Sequence, residues 1–382
     1  MSLINKVLVL YTGGTVGMSP LTIGANNGHL APDSLASLRQ HLLDSCKEVA
    51  TSEGLDGGKL TIILDNGNCI ELQFASLANI VDSSSITPSH WAEMAAVIER
   101  EYHNHDGFVV LHGTDSMAYS ASALAFMMEN LAKPVVLTGA LVPVGKQNSD
   151  GRRNFISAVQ VAAAQAAGLP LIPEVVIVFD KYVLRGCRAR KMMANKQPVF
   201  DSPNFPVLGQ IGSSITINSQ YLLSQPDKRA SFIARRKLSE HVLDFTFYPG
   251  CAETAQNILR WFCDRDLEGR NGTARGVLLR SFGVGNGPND AGLLEAIRQA
   301  VENGTMIVNI SQCPSAMVDM GLYASGKHLQ DAGVLSGMDM TPEAALSKMM
   351  WILGSTHANE RVRLMQANLR GEIGGEIATH GK

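Results

Sequence analysis

Short runs of wholly apolar residues alternate along the chain with stretches whose apolar positions recur every three or four residues. The runs at 7–11, 107–111, 134–138 and 174–179 are too short for helices and read as strands buried on both faces. Between them, 88–102, 116–131 and 150–167 read as helices, and another begins near Ser34. In the first of these, Trp91, Met94, Ala95, Val97, Ile98 and Tyr102 share one face, Thr87 is placed to cap and Pro88 suits the first helical position. Runs 60–64 and 70–74 flank Asp65-Asn66-Gly67-Asn68, turn chemistry that predicts a hairpin. Such alternation predicts an α/β fold on a parallel sheet covered on both faces.

The rhythm breaks between 200 and 245. Pro203, Pro206 and Pro226 and the charged stretch 227–236 read as a connection, with a hairpin near 214–218. It then resumes with strands near 245–248, 276–279 and 306–310 and helices at 253–263, 290–302, 342–353 and 360–369. The expected organisation is a larger N-terminal parallel-sheet α/β domain over 1–200, a linker over 201–243 and a smaller C-terminal α/β domain over 244–382.

Composition narrows the classes. The 382 residues are 45% hydrophobic and only 18% charged, enough to bury a large core and exclude wholesale disorder. A net charge of −3 without a cationic block argues against nucleic acid or an anionic membrane as partner. No apolar run reaches 18 residues, so no membrane span is expected, and the run at 7–11 reads as a strand rather than a signal segment. Six scattered cysteines without a CxxC pair indicate a reducing compartment and no zinc site. A cytoplasmic protein is expected.

Ligands of open parallel sheets bind beyond the carboxyl ends of the strands, and three such ends here carry hydroxyl and acidic residues. They are Tyr11-Thr12-Gly13-Gly14-Thr15-Val16-Gly17, Asp82-Ser83-Ser84-Ser85 and His112-Gly113-Thr114-Asp115-Ser116. Glycines let backbone amides approach a ligand, so Thr15 is a candidate site hydroxyl; it is equally a candidate helix N-cap. Thr114 or Asp115 has the same capping alternative, Lys191 alone reads as a solvated lysine, and His112 reads as a donor to nearby backbone rather than a base. Gly283-Val284-Gly285-Asn286-Gly287 lacks the GxGxxG spacing of a dinucleotide site. Neither a GxxxxGK[ST] loop nor a GxSxG elbow occurs.

The first and third of these segments, extended through Met117-Ala118, resemble the two signature segments of bacterial-type L-asparaginases. The resemblance continues through Asp82-Ser83-Ser84, Ser149-Asp150-Gly151, Arg185-Gly186, Ser202-Pro203-Asn204, Tyr248-Pro249-Gly250 and Asn309-Ile310-Ser311-Gln312-Cys313, nearly the whole chain. The Asp82-Ser83-Ser84 form resembles the cytoplasmic type I branch. The resemblance implies that Thr15 is the nucleophile toward the side-chain amide of L-asparagine, forming a β-aspartyl-enzyme. It implies that Thr114, Asp115 and Lys191 form a second set that polarises a hydroxyl or water. Asp82, Ser83 and Ser84 would hold the α-amino and α-carboxylate groups, with Thr114 and Asp115 sharing substrate contacts. No metal or organic cofactor is implied. Relatives are homodimers or dimers of dimers in which a neighbour's second domain completes the site, and Asn286 is the candidate for that contribution.

Departures accompany the matches. Some relatives carry a tyrosine on the loop after the first segment, whereas 19–32 here has none and His29 stands nearest that place. Cys187 and Arg190 replace an asparagine and a threonine in the Arg-Gly-Asn-Arg-x-Thr-Lys pattern that ends at Lys191, so allosteric control through that threonine and Cys313 is not expected. Two alternatives stand beside the asparaginase reading. One is a non-catalytic amino-acid sensor keeping the pocket. The other is the amidase component of a tRNA-dependent amidotransferase, for which an extra N-terminal domain is expected before the first segment.

Overall fold

The structure is a computed structural model that describes residues 3–20, 30–51, 60–263 and 274–374. Two compact units divide it: 1–202 with 206–235, and 203–205 with 236–382.

The first unit is built on a ten-stranded sheet. Its strands are β1 (Ile4–Tyr11), β2 (Val49–Thr51), β3 (Leu60–Ile63), β4 (Cys69–Ser76), β5 (Gly107–Leu111), β6 (Val135–Thr138), β7 (Val175–Phe179), β8 (Tyr182–Arg185), β9 (Gly209–Ile211) and β10 (Ile215–Ile217). Their order is β10-β9-β8-β7-β6-β5-β1-β4-β3-β2. The five central strands β7, β6, β5, β1 and β4 run parallel, and both flanks are antiparallel. β1 lies between β4 and β5, with Ile4 facing Cys69 and Val7 facing Gly107. Every residue of β5, β6 and β7 is buried, as their apolar sequences require; the one hydroxyl, on Thr138 at the end of β6, donates to the Val178 carbonyl.

Among the described residues four α-helices serve this unit: α1 (Leu35–Ser45), α2 (Pro88–Glu101), α3 (Met117–Met127) and α4 (Gly151–Ala162). α2 buries Trp91, Met94, Ala95, Val97 and Ile98, the face that its spacing selects. Thr87 precedes it and donates its backbone N–H to His90 Nδ1 at 3.1 Å. α3 is buried on nearly every side and ends at Met127, short of the expected 131. The chain there turns extended, and Met128–Glu129 pair with Ile233–Ala234 instead of continuing the helix. α4 likewise stops at Ala162 and gives way to turns that end at Gly168, φ +69°.

Most of the stretch that reads as a linker is built into this unit. β9 and β10 form a hairpin that extends the sheet beyond β8, and Arg185 and Glu174, both 3% exposed, pair at 2.6 Å beneath it. Glu174 also accepts from Leu223 N, and Arg185 donates to the Tyr221 carbonyl, so segment 221–223 is tied to the sheet. Short edge strands separated by proline and polar turns explain why the stretch lacks an apolar rhythm.

The second unit carries a four-stranded parallel sheet, β11 (Val242–Thr246), β12 (Gly276–Ser281), β13 (Met306–Ser311) and β14 (Leu335–Ser336), in that order. Its helices are α5 (Ala252–Cys263), α6 (Ala291–Glu302), α7 (Ala324–Asp331), α8 (Pro342–Ser355) and α9 (Arg361–Gln366). Phe247, Leu259, Leu279, Leu293, Ile297 and Leu329 contribute to its core. Lys348, fully buried in α8, donates to Glu372 at 2.5 Å and to the carbonyls of Met365 and Ala367. Burial alone would raise the Glu372 carboxyl, but the Lys348 ammonium and the Leu369 and Arg370 amides hold it below its ordinary value. No described helix is long and apolar enough to cross a membrane.

Candidate active site

The carboxyl ends of β1 and β5 and the loop after β4 converge, and backbone contacts fix how. Thr12 donates both its N–H and its hydroxyl to the Leu111 carbonyl at 3.0 Å. Its own carbonyl accepts from Val81 N at 3.1 Å. Gly13 and Gly14 sit at φ +120° and +82°, in the left-handed region where side chains strain. A Cβ on Gly13 would stand 2.0 Å from the Val81 carbonyl oxygen, and one on Gly14 2.3 Å from the Gly113 backbone. The turn can therefore meet both neighbouring loops only as two glycines.

Thr15 then opens a single 3₁₀ turn, Thr15–Gly17, for which Gly14 is the cap. Its hydroxyl caps nothing and has no hydrogen-bond partner among the described residues, and the residue is half-buried. Residues 21–29, with His29, lie outside the described residues.

The Asp82 loop closes a second small turn. Asp82 Oδ1 accepts from Ser84 N at 2.9 Å and from Ser84 Oγ at 2.6 Å. Ser83 is buried and faces the third segment: its Oγ accepts from Asp115 N at 3.3 Å, and its carbonyl accepts from Ser116 Oγ at 2.5 Å. A Cβ on Gly113 would lie 2.4 Å from Ser83 Oγ and 3.2 Å from Gly14 Cα. Gly113 is thus pressed between the first and second segments.

Lys191 reaches this cluster from a two-residue strand, Arg190–Lys191, paired with Phe200–Asp201. Its Nζ donates to Thr114 Oγ1 at 2.9 Å and to Asp115 Oδ1 at 2.6 Å. Its side chain is 20% exposed, whereas Asp115 is 62% exposed and open to solvent. Such a pair adds little to stability; its effect is on the Thr114 hydroxyl, whose oxygen faces a cation. Among the described residues the Thr114 N–H donates to no acceptor.

His112 is buried at the base of the cluster, with Nδ1 2.7 Å from the Gly113 carbonyl and Nε2 2.8 Å from Ser120 Oγ. Burial pushes its pKa down from 6.5 to about 4, against the opposing pull of the Gly113 carbonyl and of Asp82. The imidazole is neutral at pH 7. Sequence reasoning did not single out Ser120. The available signal was a serine on α3, a helix otherwise made of apolar and small residues.

In the second unit, Asn286 sits in the glycine-rich turn after β12. Its side-chain oxygen accepts from Ser325 Oγ at 3.0 Å, and its backbone pairs with Phe282. The carbonyl of Gly285, a residue at φ +115°, accepts from Asn309 Nδ2 at 3.0 Å, and a Cβ there would stand 2.8 Å from Val318. Among the described residues, no group of three His, Cys, Asp or Glu could hold a metal ion.

Residues 6–223 match the model of the asparaginase N-terminal domain, and 246–365 that of the glutaminase/asparaginase C-terminal domain. L-asparaginase 1 of Escherichia coli (strain K12) is 36% identical over 97% of this chain and 98% of its own length. A 60 kDa lysophospholipase of Mus musculus is 37% identical, but the chain spans only 62% of that protein. The crystal structure of L-asparaginase I from Vibrio cholerae O1 biovar eltor superimposes with a TM-score of 0.77 at 33% identity, covering 97% of this chain and 99% of that one. Both units, in this order and with these signature segments, are accounted for by one family: the chain belongs to the asparaginases, a family of amidohydrolases.

Proposed function

We propose that the chain hydrolyses L-asparagine to L-aspartate and ammonia with Thr15 as nucleophile. The observation that carries this reading is the meeting of Thr15, Asp82–Ser84 and the Thr114–Asp115–Lys191 set across Gly14 and Gly113. Thr15 Oγ attacks the side-chain amide carbon, and backbone N–H groups, that of Thr114 among them, take up the charge on the carbonyl oxygen. The C–N bond breaks, ammonia leaves with the proton lost by Thr15, and water then cleaves the β-aspartyl ester. Lys191 draws charge from the Thr114 oxygen, which polarises the Thr114 hydroxyl toward water or the leaving nitrogen. Asp82 and Asp115 are acids for an α-ammonium; the Ser83 hydroxyl is a donor for an α-carboxylate, and the Ser84 hydroxyl becomes one when its proton turns from Asp82 to the substrate.

The reading needs no metal or organic cofactor. It includes a homodimer or dimer of dimers, Asn286 as the contribution of a neighbouring chain's second domain, and a cytoplasmic location. Ammonia release from L-asparagine by the purified chain tests it. Thr15→Ala is expected to lower the rate by at least about 10³-fold while the fold persists. L-Asparagine binding without any ammonia release from the unmodified chain would establish the amino-acid sensor instead.

A further inference from the structure

Behind the Thr15–Thr114 cluster runs a hydrogen-bonded chain that the proposed reaction does not itself use. Trp91 on α2 donates through Nε1 to Ser120 Oγ on α3 at 2.8 Å. Ser120 Oγ lies 2.8 Å from His112 Nε2, and His112 Nδ1 lies 2.7 Å from the Gly113 carbonyl oxygen. Ser120 and His112 are wholly buried and Trp91 is 6% exposed.

The direction of each proton follows from what these groups can do. An indole N–H only donates, so the Ser120 oxygen accepts from Trp91 and its own proton is directed to Nε2. A carbonyl only accepts, so the imidazole proton must sit on Nδ1. This neutral tautomer satisfies every group in the chain. An imidazolium would set a second N–H against a Ser120 oxygen whose proton then has no acceptor, consistent with a pKa pushed down to about 4.

What the chain grips is a peptide plane. The only cis bond among the described residues is Gln197–Pro198, so the Gly113–Thr114 bond is trans, and its carbonyl and N–H point in opposite directions. Holding the Gly113 oxygen toward His112 turns the Thr114 N–H away from His112. Gly113 cannot hold that plane alone, because a residue without a Cβ restricts its own torsions least. The contacts with Gly14 and Ser83 forbid any larger residue in its place.

We infer that His112 is a positioning residue: its Nδ1–H, with the tautomer set by Ser120 and Trp91, locks the Gly113–Thr114 peptide so that the Thr114 N–H faces the oxyanion. The inference rests on the proposed hydrolysis at Thr15. It assigns His112 no proton transfer with substrate.

The test compares His112→Leu, which removes the donor, with His112→Asn, whose side-chain NH₂ keeps a donor near the Nδ1 position. His112→Leu is expected to lose on the order of 10- to 100-fold in kcat with KM nearly unchanged, since a misdirected donor is felt in the transition state. His112→Asn is expected to retain most of the rate. Equal losses in the two variants, or a rise in KM at constant kcat, would overturn the inference. Should either variant not fold, ¹⁵N spectra of histidine-labelled unmodified protein decide. A protonated Nδ1 and bare Nε2 at pH 7 support the inference, and the opposite tautomer refutes it. Ammonia release by the unmodified chain in the same assay checks the underlying hydrolysis separately, because the tautomer is read without turnover.

Discussion

Gly14 stands where three constraints meet: a left-handed φ, the Gly113 backbone 2.3 Å from where its Cβ would be, and the nucleophile candidate next in the chain. Gly14→Ala is expected to cost at least about 2 kcal/mol, because it adds backbone strain to a clash that only a shift of the Thr114 segment relieves. Urea unfolding measures the loss, and ammonia release should fall further than the lost stability explains. His112 supplies a pH signature. Between pH 6.5 and about 4 the unfolded chain takes up a proton that the buried imidazole refuses, so stability drains as the pH falls through that window. The full effect is on the order of 3 kcal/mol. A His112→Gln protein should lack that slope when urea midpoints are compared across the window, and an identical slope would place the titration elsewhere. Of the candidate site, the meeting of hydroxyl and acidic residues at the strand ends was legible, because their chemistry and position along the chain agree. Lys191 was legible only through the family pattern that ends at it. Its reach to Thr114 depends on a two-residue strand for which no periodicity speaks. Ser120 carried only the faint signal of a serine in an apolar helix, and its purpose shows only once its partners Trp91 and His112 are known.

At the scale of elements, strands and helices followed their periodicity wherever burial was one-sided or complete. The buried face of α2 was readable residue by residue. The end of α3 was not. Nothing in Met127-Met128-Glu129 breaks a helix; the chain leaves it because Ile233–Ala234, a hundred positions later, offers a strand partner. α8 carries the most exacting demand in the second unit. Lys348 and Glu372 are both fully buried, and their pairing binds segment 365–372 to that helix. Lys348→Met alone leaves the Glu372 charge buried without its cation and should cost about 3–5 kcal/mol. Lys348→Met combined with Glu372→Leu should recover most of that loss. Thermal unfolding of the three proteins checks the order, and a double variant no better than the single one would show that the carbonyl contacts of Lys348 matter more than its charge.

Over the whole molecule, two α/β units were expected and two are found. The parallel centre of the large sheet was readable because strands buried on both faces are apolar without interruption. Its antiparallel flanks were readable only as local hairpins, the first from the Asp65–Asn68 turn and the second near 214–218; their place in the large sheet was not, since edge strands of three or four residues carry too few positions to show a period. For the same reason the stretch from 206 to 235 looks like a connection in the sequence and belongs to the first unit in space.

The place of β1 has a consequence in time. It is synthesised before the strands it pairs with, and these neighbours are encoded some 65 and 100 positions later, where Cys69 and Gly107 meet Ile4 and Val7. The proposed nucleophile, in the turn after this apolar strand, must thus wait until about 100 further residues have emerged before β5 can pair with β1. Closing such long loops is slow, and an unpartnered apolar strand is an aggregation hazard meanwhile. During synthesis, occupancy by chaperones should centre on the interval before residue 111, and a ribosome pause within that interval should lower the yield of folded protein more than a later one.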